Sequence, residues 1–88
     1  MNIAVDKDSE FTITLKDFIE TLSQYDKFTL KIWVNGSEIP FKYDESADYY
    51  FMSEGIRIIH HATDSFGNVV EMIDYVLYDT IVNMRLVL

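Results

Sequence analysis

"TLKDFIETLSQYDKFTLKIWVNGSEIPFKY", Thr14 to Tyr43, changes its hydrophobic period partway along. Leu15, Phe18, Ile19 and Leu22 recur at i, i+3, i+4 and i+7, which gathers them on one stripe of an amphipathic helix. Thr14 is a good N-cap. Asp17, three residues on, imitates the acid of a capping box and sits near the positive end of the helix dipole. The spacing predicts a helix over about 15–25. From Phe28 the period falls to two: Phe28, Leu30, Ile32 and Val34 alternate with Thr29, Lys31 and Trp33. Asn35-Gly36 suits a type I′ turn, whose central residues both need positive φ, so residues 28–43 are predicted as a hairpin. Pro40 has no amide proton to donate, which places the return strand at a sheet edge or on a bulge.

Outward from this stretch, strand signals dominate. "NIAV" (2–5) suits a short strand, "DKDS" (6–9) a charged turn, and "EFTIT" (10–14) an extended segment. "GIRIIHHAT" (55–63) is a β-branched run, and "DSFGN" (64–68) carries turn residues. The following "VVEMI" (69–73) suits a second hairpin, but Val69, Ile73 and Val76 also fit a short helix, and periodicity does not separate the two. Val82, Met84, Leu86 and Leu88 alternate with Asn83, Arg85 and Val87 in a final strand expected to dock in the sheet. The expected fold is therefore α+β in a single domain, residues 1–88. It has a mostly antiparallel sheet of four to six strands and the 15–25 helix on one face.

Net charge is −8 and unevenly spread. Residues 1–42 hold seven acids against five lysines; residues 43–84 hold eight acids against Arg57 alone. Such an imbalance disfavours direct binding to nucleic acid or to an anionic membrane, both of which need clustered Lys and Arg. It favours a cationic partner. With no cysteine there is no disulfide framework, thiolate nucleophile or Cys-rich zinc site. The acidic turn of the first ten residues does not resemble a signal peptide, and no stretch approaches a membrane span. A cytoplasmic protein is expected.

Residues able to do chemistry are few. His60 and His61 are adjacent, so on a regular strand they face opposite sides and do not chelate one metal; one core-facing and one surface histidine are expected. "DKDSE" (6–10) alternates carboxylates but lacks the glycine and distal Glu of a calcium loop. No nucleophile elbow appears, and Gly36, Gly55 and Gly67 are too scattered to cradle a phosphate. The reading is of a non-enzyme with no metal and no cofactor.

The segment that stands out is "YDESADYYFMSEG" (43–55), four carboxylates and four aromatic rings without a Lys or Arg. Tyr49 and Phe51 alternate with Tyr50 and Met52, so one pair faces inward and the other outward. Exposed tyrosine beside carboxylates makes an effective protein-binding surface: the ring supplies apolar area, the acids steer Lys and Arg. The candidate contact residues are Asp44, Glu45, Asp48, Tyr49, Tyr50 and Glu54, with Glu71, Asp74 and Asp79 as a second acidic patch. Closely spaced carboxylates can stand in for the phosphates that a basic groove binds.

Thr14, Leu15, Phe18, Ile19 and Leu22, then Phe28 to Val34 and Val82 to Leu88, follow a layout that resembles small acidic proteins encoded by phages and mobile elements of Gram-positive bacteria. The resemblance spans about half the chain, is generic, and leaves residues 36–73 unmatched. It implies an inhibitor of host defence, such as an anti-CRISPR protein. The partner would be a basic nucleic-acid-binding protein such as a CRISPR effector. The alternative is an assembly module that forms a homo-oligomer, a homodimer for instance, through a sheet edge or aromatic face.

Overall fold

Two antiparallel sheets face each other across one core in the computed structural model, which describes residues 10–22 and 24–88. The elements run β1 (Glu10–Thr12), α1 (Leu15–Thr21), β2 (Thr29–Val34), β3 (Phe41–Asp44), β4 (Asp48–Phe51), β5 (Gly55–Thr63), β6 (Val69–Leu77), a 3-10 turn (Tyr78–Thr80) and β7 (Ile81–Val87). The first sheet has the order β1-β7-β2-β3 and the second β4-β5-β6. The fold is α+β and mostly sheet, with the strands divided between two layers. The strand expected at 2–5 and the turn at 6–9 lie outside the described residues.

The expected N-cap is present: the Thr14 hydroxyl accepts from Asp17 N–H at 3.1 Å. The helix is shorter than the spacing suggests, with Leu22 as its C-cap. Its buried stripe is also narrower. Phe18 is 1% exposed and Leu15 and Leu22 pack on the core, but Ile19 is 46% exposed. Phe18 meets Phe28, Tyr49 and Phe51 edge-on, at centroid distances of 6.0, 5.2 and 6.1 Å. The helix thus closes the β4 side of the space between the layers.

The β2–β3 hairpin forms with Leu30 opposite Tyr43 and Ile32 opposite Phe41. Its connection is not the expected type I′ turn. Gly36 has φ +85° but Asn35 does not have positive φ, as in a type II turn closed by Ser37 N–H on the Val34 carbonyl at 3.1 Å. A longer loop follows, through residues 37–40, and Pro40 leads into β3, an edge strand as its missing donor requires.

Residues 69–77 are strand, not helix. They pair residue for residue with 55–63, from Gly55 opposite Leu77 to Thr63 opposite Val69. At the tip the Asp64 carboxylate accepts from Phe66 N–H and Asn68 N–H, both at 2.9 Å, and Gly67 takes φ +81°. Only the base of this hairpin is packed. Ile56 and Ile58 are fully buried and Val76 is 6% exposed, whereas Ala62, Val70 and Met72 on the same face are exposed. The far half is an arm beyond the body, and the molecule measures 48 × 32 × 25 Å.

The core is otherwise Ile13, Phe18, Phe28, Leu30, Ile32, Tyr43, Ala47, Met84 and Leu86. Burying each large side chain is worth about 1.5–3 kcal/mol.

Candidate functional site

The sequence-expected contact residues do not form one patch. Asp44 and Glu45 lie in the β3–β4 turn and are occupied there. The Asp44 carboxylate accepts from the amide (2.9 Å) and hydroxyl of Ser46, which hold it below the usual carboxylate range. Glu45 accepts from Phe28 N–H at 3.4 Å. Tyr49 faces inward with Phe51; its ring packs on Phe18 and its hydroxyl donates to the Asp44 carbonyl at 2.7 Å. Burial first, then the charges of Asp44 and Glu45, push its phenol pKa well up. Tyr49 is thus half-buried, its ring turned inward against the core.

Asp74 is also turned inward. Tyr43 Oη donates to its Oδ2 at 2.7 Å, and His60 Nε2 lies 3.0 Å from the same oxygen. The Tyr43 and His60 rings meet edge-on at 5.2 Å. Burial first, then the bond to Asp74, raises the Tyr43 phenol pKa. This trio ties β3 to β5 and β6 where the arm leaves the body. As expected, the histidines divide: His60 is half-buried and His61 exposed. Among the described residues no cluster of three or more potential metal ligands occurs, and no helix is long and apolar enough to cross a membrane.

Asp44 and Glu45 stay exposed despite these bonds, as do Tyr50, Asp48, Glu71, Glu54 and Asp79, and with Tyr50 the pairing reveals a surface that the sequence did not show. Tyr50 lies opposite Arg57, which lies opposite Tyr75; Asp48, Ile59 and Ile73 form the adjacent row, and His61 faces Glu71. All point to the outer side of the second sheet. The Arg57 guanidinium sits 4.9 Å from the Tyr50 ring centre. Tyr75 is 50% and Ile73 61% exposed, with Leu77 and Tyr50 also open. Asp48 and Glu71 border this aromatic and aliphatic face, and Glu54 and Asp79 flank the small depression at its base.

The first sheet presents the opposite electrostatics. Arg85, Lys31 and Lys42 are cross-strand neighbours in one row on its outer side. Glu10 offsets them in part, at 3.2 Å from Lys31 Nζ and 3.9 Å from Arg85. Between the sheets, at the open β3 and β6 edges, runs a groove of about 340 Å³ lined by Val34, Phe41, Tyr43, Val76 and Leu77.

No protein family, curated protein or solved structure matches the chain.

Proposed function

We propose that the chain is a non-enzymatic protein-binding module whose contact surface is the outer face of the β4-β5-β6 sheet. The observation that carries this reading is that face's composition: Tyr50, Ile73, Tyr75 and Leu77 stand exposed together, with Arg57 the single cation between the two tyrosines and carboxylates at the border. Contiguous exposed apolar area with a polar rim is the usual character of an interaction site, and tyrosine is enriched at its energetic centre. Charge then selects the partner. The cationic row lies on the other sheet, so a basic protein is steered toward the Asp48 and Glu71 side and away from Lys31, Lys42 and Arg85. The finer form of the proposal is an anti-defence inhibitor of anti-CRISPR type that covers the nucleic-acid groove of a host effector in the cytoplasm; the net charge of −8 supports it.

The test is a tagged pull-down with a bacterial effector panel at low and high salt, using the wild type and a Tyr75→Ser, Asp48→Lys, Glu71→Lys variant. Recovery of a basic nucleic-acid-binding protein by the wild type alone, weakened by salt and competed by duplex nucleic acid, is the expected result. Equal recovery by the variant overturns the assignment of this face.

A further inference from the structure

A sheet with open edges is liable to pair with other strands, and proteins blunt such edges by shortness, charge, proline or bulges. Among the described residues two edges are blunted by shortness: β3 has four residues, is entered through Pro40 and carries Lys42, and β4 has four. The β6 edge is different. β6, "VVEMIDYVL", runs nine residues in unbroken register with β5, contains no proline, lysine or bulge, and carries its two acids, Glu71 and Asp74, on opposite faces. Its other side is unpaired among the described residues.

The ladder's ends show which groups that side offers. Asp64 N–H bonds the Asn68 carbonyl at 2.9 Å, and Tyr78 N–H bonds the Glu54 carbonyl at 3.0 Å. Even-numbered residues of β6 therefore bond β5. The N–H and C=O groups of Val69, Glu71, Ile73, Tyr75 and Leu77 point out of the sheet edge.

We propose that this edge pairs with β6 of a second copy of the chain, antiparallel about a two-fold axis through Ile73. The strand is self-complementary in that register. Ile73 meets Ile73 of the second copy, Glu71 meets Tyr75, Val69 meets Leu77, Val70 meets Val76 and Met72 meets Asp74. All nine residues pair, every outward backbone group finds a partner, and no like charges oppose. The competing registers with the same backbone parity are worse. Centring on Asp74 or on Glu71 sets a carboxylate against itself, and centring on Met72 leaves the ends unpaired. The product is a continuous six-stranded sheet, whose exposed face joins the Ile73 and Tyr75 surfaces of both copies. The self-pairing does not rest on the hetero-partner reading.

Sedimentation velocity over about 1 µM to about 1 mM tests it, a range that brackets weak and moderate affinities. A concentration-dependent species of twice the chain mass is expected. Ile73→Pro removes an outward N–H that β5 does not use and fixes φ at about −65°, a change an edge strand tolerates, so the chain should stay folded by circular dichroism and sediment as a monomer. If that variant unfolds, Ile73→Lys answers instead: it sets two cations on the axis and should weaken association about 100-fold. Ile73→Cys supplies a sole cysteine whose axial counterpart lies about 5.5 Å away between Cα atoms, within disulfide reach. Mild oxidation should then link dimers, while Val82→Cys on the other sheet stays unlinked. A monomer at every concentration overturns the proposal, whether the edge is bare or taken by residues 1–9 of the same chain. So does a dimer that Ile73→Lys leaves intact.

Discussion

Base and tip of the β5–β6 hairpin share one register and one apolar vocabulary, yet they live in different surroundings. At the base Ile56, Ile58 and Val76 press on the first sheet and are nearly inaccessible. Along the same face Ala62, Val70 and Met72 are exposed, covered in part by their own hairpin and not by the first sheet. Beyond that point the ladder's hydrogen bonds hold the strands together without a core beneath them. The difference teaches that hydrophobic residues in a strand record a facing direction, not a destination. Those at the base stabilise the fold; those on the arm are free for contacts outside it.

This division is tested most strongly by truncating an inward-facing side chain on either side of it. Ile58→Ala should cost about 3 kcal/mol in urea denaturation, through lost burial and a residual cavity. Met72→Ala, on the same face but out on the arm, should change stability by no more than about 1 kcal/mol. Comparable losses at both positions would mean that the arm is packed after all. A smaller effect probes where packing begins. At Gly55 an added Cβ would lie 2.5 Å from the Val76 carbonyl oxygen and 3.1 Å from the Tyr75 ring. Gly55→Ala should therefore cost about 2 kcal/mol by the same measurement, as overpacking does. A neutral outcome would show that the base is as loose as the arm.

The mildest effect should appear in alkali. Tyr43 and Tyr49 both have pKa values raised above the ordinary 10.0, so in the folded state they keep their protons longer than in the unfolded chain. Below pH 10 both states are protonated and these groups add no pH dependence. Above it the unfolded state deprotonates first, so stability falls as pH rises toward the folded-state values. Phenolate absorbance, followed with circular dichroism, should show these two of the six tyrosines ionising only as the fold is lost. Six phenols titrating together with the fold intact would remove both from the core.

Much of the body was legible because its signals are local. Thr14 caps α1 through a bond three residues long, and the alternation from Phe28 to Ile32 maps directly onto buried and open positions. Pro40 marked an edge, and Tyr49 and Tyr50 separated as alternation requires. The arm was not legible. With both faces of residues 69–73 in solvent, no alternation of polarity is imposed on them, and the helical spacing of Val69, Ile73 and Val76 was accidental. The surroundings of the acidic residues were hidden for a different reason. A carboxylate reads as free in sequence, but Glu45 is engaged by Phe28 N–H and Asp74 by Tyr43, partners 17 and 31 residues away. The Tyr50–Arg57–Tyr75 row joins three strands and exists only once their registers are set.

The turn at the end of the arm has a consequence for recognition kinetics and entropy. One carboxylate, Asp64, holds the amides of Phe66 and Asn68, and so fixes the backbone that carries Phe66, the most exposed large apolar side chain of the described residues at 87%. A ring mounted on an already ordered turn has little backbone freedom left to surrender when it is covered. Docking of Phe66 should accordingly be limited by encounter and not by loop ordering, and amide exchange at Asn68 should be slow before any partner arrives.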